Sequence, residues 1–323
     1  AEEYYQNRIP QLPPPQKNLT IKKLKSFTAT NDPSANVKDI AAYGAKGVNF
    51  ALLHQALTAA KQDRSYFQGS FLIPFSVYNA HIHQPITDDV CAKAVKACTD
   101  DNFTVCASAE KICHQAAAQN STVMAFLNHM SSSVVVPYLL QDNQLRKSSL
   151  AFLREVIKKT PLPTAEEKMI MTQLSAQFKP TQRIRFRSST NAEDLPGLNG
   201  AGLYESKAGC LGDTTDLAKD GKPSVCTTEK EIQRTKALIE KLKKLDATKY
   251  ATLIQDLQEN ISDKRPISKA LRGVFASLWT EKAFLNRDYY RIPHSEIFMG
   301  ILVHPSFVNE GANGVALVKS KND

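Results

Sequence analysis

The segment spanning residues 183–204 constrains the fold of this 323-residue chain more than any other part of it. In its first part Ile184 and Phe186 occupy one face of a period-2 alternation and three arginines occupy the other, which is typical of a strand with one buried side. These arginines are Arg183, Arg185 and Arg187. The segment therefore predicts a half-buried strand that presents arginines to solvent.

A glycine-rich loop follows this strand after a Ser-Ser-Thr-Asn sequence. Its glycines are Gly197, Gly200 and Gly202. Because glycine has no Cβ, such a loop can bring backbone N–H groups close to an anion, and Arg187 at the strand end is a planar cation suited to phosphate oxygens. This order indicates a nucleotide-phosphate site. An ordinary turn after a strand with solvated arginines explains the same residues, and the P-loop pattern is absent.

Residues 187–204 resemble the signature of the N-terminal nucleotide-binding domain of phosphoenolpyruvate synthase and pyruvate phosphate dikinase. Residues 43–53 are similar to the opening G-x-K-x-x-N-L motif of that domain, with Lys46 as its lysine. Other segments resemble, in family order, an apolar strand carrying a proline, the helix before the adenine-side strand and the next two strands. They are residues 71–75, 274–284, 298–303 and 314–317.

The resemblance implies an α+β chain with an ATP-grasp-like nucleotide-binding domain, which binds Mg-ATP between two lobes. The cysteine spacing, considered below, adds a disulfide-linked helical insert to this fold. By this resemblance Lys46 and Arg187 would contact the nucleotide phosphates, and the loop from Gly197 to Gly202 would lie over them. The strand from Met299 to Val303 would offer backbone groups to the adenine edge. ATP and Mg²⁺ are the implied cofactors, and positioned cations suit phosphoryl transfer.

The chain departs from the family in the second lobe, which in that family supplies the acidic and amide ligands of Mg²⁺. The sequence stops at Asp323, a few residues past Val315, and the phosphohistidine and pyruvate domains of the family are absent from it. We expect a piece of a longer protein, because a lobe that ended at its first strand would leave a sheet edge unpaired. Loss of the metal-binding half is the alternative.

The six cysteines are placed at regular intervals. Seven residues make two helical turns, so Cys91 and Cys98, and likewise Cys106 and Cys113, share a face on two antiparallel helices. Nested bridges Cys91–Cys113 and Cys98–Cys106 would join such a helical hairpin, and a third bridge would join Cys210 to Cys226. Four cysteines allow three pairings, and core cysteines or a zinc site remain alternatives, although the C-x₂₋₄-C spacing of zinc sites is absent.

Disulfides indicate an oxidising compartment. The start at Ala1 resembles a mature end left after removal of a signal peptide, although an arbitrary start would look the same. We therefore expect an extracytoplasmic, secreted or periplasmic protein. The sequence contains no run of 18 apolar residues, so it predicts no membrane-spanning helix.

The net charge of +9 suits a polyanionic ligand such as ATP and equally suits nucleic acid. Many lysines are scattered among acidic residues in stretches that look helical, which is typical of a solvated helix face. A nucleic-acid partner is therefore not expected.

Four parts are predicted along the chain. Residues 1–37 form an extended arm with a proline run, and residues 38–83 begin the ATP-grasp-like lobe. Residues 84–180 form the helical insert, and residues 181–323 complete the first lobe and start the second. Long helical stretches are expected at 163–178, with a threonine N-cap, at 228–260 and at 267–290.

Two further groups have metal-ligand chemistry. His81 and His83 would share a face on a strand, but no third ligand accompanies them and surface histidines explain them better. Glu193 and Asp194, beside the glycine loop, suit Mg²⁺ and equally an exposed acidic turn.

Two main functions are consistent with these features. The first is the ATP-binding domain of a phosphotransferase, with the phosphoryl acceptor open. The second is a secreted binding or effector module on the same fold that does not turn over ATP. A nucleic-acid binder is a third alternative, which would bind with a steep salt dependence.

Overall fold

The computed structural model describes residues 15–26, 36–63, 65–98, 104–193, 200, 202–213 and 222–307, without the side chains of 66, 97, 98 and 104–108. Within these residues helices surround one antiparallel sheet. The strands are β1 (Lys25–Ser26), β2 (Phe71–Ile73), β3 (Arg183–Thr190), β4 (Lys207–Cys210) and β5 (Met299–Pro305).

The sheet has the order β1-β2-β5-β3-β4, and every neighbouring pair is antiparallel. β5, the last strand in the described sequence, therefore lies between β2 and β3. The predicted arginine strand is confirmed as β3, with Ile184 and Phe186 fully buried. The strand predicted at 314–317 lies outside the described residues.

The helices fall between the strands in sequence. They are α1 (Ile40–Tyr43), α2 (Ala45–Ala59), α3 (Phe75–Ile82), α4 (Asp88–Cys98), α5 (Thr104–Ala118), α6 (Val123–Met130), α7 (Val136–Gln141), α8 (Asn143–Lys159), α9 (Thr164–Gln177), α10 (Glu229–Asp246), α11 (Ala251–Ser262), α12 (Ile267–Ala276) and α13 (Glu281–Tyr289). Short 3-10 helices occur at Val37–Asp39, Ser65–Phe67, Ser277–Trp279 and His294–Glu296.

Capping residues mark several helix starts, and the helix bounds correct three predictions. Thr228 and Glu231 form a capping box at α10, but the stretch predicted at 228–260 breaks into α10 and α11. The stretch predicted at 267–290 also breaks, because the Thr280 side chain caps a new helix, α13. At α9 the N-cap residue is Pro163, so the predicted threonine cap is wrong.

The two histidines considered for metal lie at a helix end and not on a strand. The apolar strand β2 ends at Ile73, and Pro74 in extended conformation starts α3 directly after it. His81 is in α3 and His83 caps its C-terminus, so they do not share a strand face. The Nε2 atom of His81 donates a hydrogen bond to the Ile157 carbonyl at 3.0 Å, which accounts for His81 as a buried core residue.

Helices cover both faces of the sheet. The main buried cluster joins one face of β3 and β5 to α8 and α12, including Phe186, Ile301 and Phe275. A smaller cluster on the opposite face joins Leu72 of β2 and Leu302 of β5 to α2. The arginines of β3 lie on this second face of the sheet, because Arg187 pairs with Leu302 of β5.

The predicted disulfides are present where the residues are described. Cys91 of α4 and Cys113 of α5 are joined, and both sulfur-bearing side chains are fully buried. Cys210 at the end of β4 is joined to Cys226 just before α10. The predicted Cys98–Cys106 bridge lies outside the described side chains.

The described part of the predicted N-terminal arm lies on the body of the protein. The Asn18 N–H donates to the Ala41 carbonyl at 2.6 Å, and the Ser76 hydroxyl donates to the Ile21 carbonyl at 2.7 Å. Lys17 forms an ion pair with Glu296 at 2.6 Å. Residues 15–26 are therefore fixed against α1, α3 and the 3-10 helix that precedes β5.

Candidate functional site

The site begins where helix α2 starts against the sheet. Gly44 precedes α2 with a φ of 82°, and a Cβ on it would stand 2.3 Å from the Ser189 carbonyl oxygen. Both facts require glycine at this position. A Cβ on Gly300 of β5 would likewise stand 2.6 Å from the Tyr43 carbonyl oxygen. Two glycines thus allow the start of α2 to lie directly on β3 and β5.

Ser189 fixes this junction with its buried hydroxyl. The hydroxyl accepts a hydrogen bond from the Gly47 N–H at 2.9 Å and donates one to the Tyr43 carbonyl at 2.8 Å. Gly47 is in the first turn of α2, whose N–H groups have no partner inside the helix. Because Gly44 has no side chain to cap α2, a serine on β3 does so.

Lys46 projects from the same first turn to the end of β3. Its Nζ atom donates to the Ser188 hydroxyl at 3.4 Å and forms an ion pair with Glu193 at 2.5 Å. The Glu193 side chain is only 5% exposed and that of Lys46 is 29% exposed. An ammonium group is thereby held beside β3, at the residue that follows Arg187 in sequence.

The glycine loop meets Glu193 through Gly200. The Gly200 N–H donates to the Glu193 carbonyl at 2.8 Å, and a Cβ on Gly200 would stand 2.6 Å from that oxygen. Gly202 has a φ of 80° and open space around it. Gly197 lies outside the described residues. The described glycines therefore bring the returning loop against the residue that pairs with Lys46.

Asn191 joins the end of β3 to the start of β5. Its Nδ2 atom donates to the Glu296 carbonyl at 2.9 Å, and its Oδ1 atom accepts from the Phe298 N–H at 2.9 Å. Nδ2 also donates to the Gln16 carbonyl at 3.3 Å. One amide side chain thus fixes three segments around the site.

The two residues predicted on the adenine side lie in β5. Met299 pairs with Thr190 of β3, and Val303 pairs with Phe186 of β3 and Phe71 of β2. Both side chains are fully buried. Since strands flank Val303 on both sides, its backbone groups are hydrogen-bonded within the sheet. The adenine role of these residues stays a prediction.

Arg187 is exposed on β3, and Arg185 beside it is half-buried. Both backbones pair within the sheet, but among the described residues neither arginine side chain forms a hydrogen bond or an ion pair. Arg183, by contrast, contacts Glu231 at 2.5 Å and donates to the Cys226 carbonyl at 3.0 Å. Within the described part of the chain, the cationic face of β3 is therefore neutralised at Arg183 and has no carboxylate partner at Arg185 and Arg187.

A buried arginine near the glycine loop was missed by the sequence analysis. Arg287 of α13 is 2% exposed, donates to the Leu278 carbonyl at 2.7 Å and donates from Nε to Nδ1 of His294 at 3.0 Å. Its guanidinium lies over the Trp279 ring. Burial raises the pKa of Tyr204, at the end of the glycine loop, and Arg287 partly opposes that rise.

Burial and the Arg287 charge lower the pKa of His294 to about 3. The His294 ring, which accepts the hydrogen bond from Arg287 Nε, is therefore neutral. Arg287 gave no signal in the sequence because a single arginine within a helical pattern looks like a solvated residue.

Taken together, these features define an α+β protein in which a helix start, a strand of arginines and a glycine loop meet at one cationic site. The family model of the pyruvate phosphate dikinase AMP/ATP-binding domain matches residues 41–322. The chain belongs to this family and is a nucleotide-binding module of it, as the sequence resemblance predicted. No curated protein shows a significant match to the chain.

Among the described helices, none is both long and apolar enough to span a membrane.

Proposed function

We propose that this chain is the ATP-binding part of a phosphotransferase with an ATP-grasp fold. The observation that carries the proposal is the meeting of Lys46 with β3, since its ammonium reaches Ser188 across 142 residues of sequence. Lys46 and the adjacent Arg187 would stabilise the charge of the nucleotide phosphates, and Gly200 and Gly202 would let the loop approach them. The phosphoryl acceptor is not assigned.

The described residues do not fit a Mg²⁺ site. Within the part of the chain that the structure describes, no group of three or more His, Cys, Asp or Glu side chains is placed to hold a metal ion. Glu193, which the sequence offered for Mg²⁺, instead forms an ion pair with Lys46. Mg²⁺ therefore enters the proposal only as the companion of ATP, and no described residue is assigned to it.

The proposal extends to the compartment. Two disulfides in the described residues are compatible with an extracytoplasmic protein, because such bonds persist in oxidising compartments. Mass spectrometry of the protein from its native source, alkylated before and after reduction, would test this. Free thiols at Cys91 and Cys113 in the native protein would contradict it.

A thermal-shift titration with Mg-ATP tests the nucleotide site. Ligand at about 100 times its Kd adds roughly 2.7 kcal/mol of stability, which raises the Tm of a protein of this size by several degrees. We expect Arg187→Ala to lose most of this rise. Arg234→Ala is the matched control, because Arg234 is an exposed arginine on α10 and the change in net charge is the same.

Lys46 requires a different variant, because Lys46→Ala alone would remove the ammonium group that pairs with the buried Glu193 carboxylate and would also change the charge balance around that carboxylate. The double variant Lys46→Ala with Glu193→Gln should therefore be compared with Glu193→Gln alone. We expect the double variant to bind Mg-ATP more weakly. Absence of any Tm rise in the wild-type chain would contradict the proposal.

Chromatographic detection of ADP or AMP, after incubation of the chain with Mg-ATP, then distinguishes a phosphotransferase from a binding or effector module that does not turn over ATP. Production of either nucleotide by the chain supports the enzyme. Binding without turnover, also in the presence of any further domains of the natural protein, would instead support the binding or effector module.

A further inference from the structure

Among the residues that the structure describes, two arginines on one face of β3 have no carboxylate partner. Arg185 and Arg187 are two positions apart on a strand, so their side chains leave the same face roughly 7 Å apart. In the described part of the chain no carboxylate contacts either of them. The pKa of Arg185 is lowered by its burial and further by the Arg187 charge. Arg187 is therefore close enough for the two positive charges to repel each other.

The neighbouring groups do not compensate this charge. Arg185 lies directly opposite His304 of β5, and Arg187 lies opposite Leu302. The Nδ1 atom of His304 donates to the Pro305 carbonyl at 2.7 Å, and burial, followed by Arg187 and Arg185, lowers the pKa of its ring. A neutral imidazole and an aliphatic side chain thus flank the two cations.

Two uncompensated guanidinium groups on one face match a doubly charged, tetrahedral group, since each guanidinium can donate two parallel hydrogen bonds to phosphate oxygens. We infer that Arg185 and Arg187 together bind one phosphoryl dianion. Arg185 is thereby added as a ligand to the proposed nucleotide site, to which only Lys46 and Arg187 were assigned above. The inference rests on the proposed function where the dianion is the terminal phosphate of a nucleotide. A free phosphate bound to the same pair is the other source.

Isothermal titration of the full chain with ATP, ADP, AMP and pyrophosphate tests the inference, with Arg185→Gln compared against wild type and Arg234→Gln. Glutamine keeps a hydrogen-bonding side chain without the charge, and unfolding without ligand shows whether each variant is folded. For a nucleotide source we expect Arg185→Gln to weaken ATP binding about tenfold and to leave AMP binding unchanged. For a free-phosphate source we expect the loss with pyrophosphate alone.

The His304 ring gives an independent readout by NMR. A dianion on the arginines cancels part of their effect, so saturating pyrophosphate or ATP should raise the pKa of His304 in wild type and raise it less in Arg185→Gln. The charged groups that act on this ring are Arg187 and Arg185.

Each outcome decides the matter. If Arg185→Gln binds all four ligands as wild type does while Arg187→Ala loses ATP, the inference is wrong and the proposed function stands. If the wild-type chain binds no nucleotide, the proposed function fails, and the pyrophosphate titrations then decide the inference. An Arg234→Gln variant that loses affinity as Arg185→Gln does would overturn the inference in favour of a general charge effect.

Discussion

The hydroxyl of Ser189 accepts a hydrogen bond from the backbone N–H of Gly47 at 2.9 Å, across 142 residues of sequence. Through this bond the strand that carries Arg187 caps the helix that carries Lys46. The relative position of the two proposed phosphate ligands therefore depends on one buried serine.

Replacing Ser189 with alanine should destabilise the protein by about 1–3 kcal/mol, because the Gly47 N–H and the Tyr43 carbonyl would lose their partner in a buried place. Ser188→Ala is the control, since the Ser188 hydroxyl accepts only a long hydrogen bond of 3.4 Å from Lys46. Urea unfolding measures both free energies. Equal losses in the two variants would argue against Ser189 as the capping residue.

The two described loop glycines should respond differently to alanine. Gly200→Ala places a Cβ 2.6 Å from the Glu193 carbonyl and should displace the loop, which weakens Mg-ATP binding. Gly202→Ala meets no neighbour and costs only its positive φ, on the order of 1 kcal/mol of stability. Titration calorimetry and urea unfolding separate the two effects. A larger loss of affinity in Gly202→Ala would contradict this assignment.

Removal of the bridge between α4 and α5 should lower the free energy of unfolding. The double variant Cys91→Ala and Cys113→Ala opens a loop with a sequence separation of 22, and about 2–4 kcal/mol is expected for such a bridge. Both positions are buried, so alanine adds a small cavity as well. Denaturant unfolding of the variant and of wild type gives the difference. An unchanged unfolding midpoint would show that the bridge does not constrain the unfolded chain.

His81 should make stability depend on pH. Burial lowers its pKa from 6.5 to about 4, so below pH 6.5 the unfolded state takes up a proton that the folded state refuses. The contribution of His81 is complete above 6.5, decreases as the pH falls to about 4 and is constant below that value. His81→Gln should flatten this part of the stability profile. His83→Gln, at an exposed position at the end of the same helix, should leave it unchanged in urea unfolding at several pH values.

Local patterns in the sequence were sufficient for β3, and they favoured the described disulfides without excluding other pairings. Alternation of apolar residues and arginines fixed the buried face of β3, because a strand places successive side chains on opposite faces. The seven-residue cysteine spacing favoured the Cys91–Cys113 pair, because residues seven apart lie on the same face of a helix. The division of the chain into arm, lobe and insert stays a prediction.

Contacts between distant segments could not be obtained in this way. The pairing of Lys46 with Glu193, the burial of Arg287 and the position of β5 between β2 and β3 depend on tertiary packing. Periodicity describes how a segment is exposed and does not identify its neighbours. His81 shows the same limit, because its spacing from His83 fits a strand face only if the segment is a strand.

The central position of β5 has a consequence during synthesis. β1 and β2 can pair early, and β3 and β4 can pair later, but the two pairs have no common strand until residues 299–305 have left the ribosome. Until then the apolar faces of Ile73 and Phe186 and two unpaired strand edges are open to other chains. The sheet therefore cannot be completed before the strand at its centre, which comes more than 100 residues after β3 in sequence, has been synthesised.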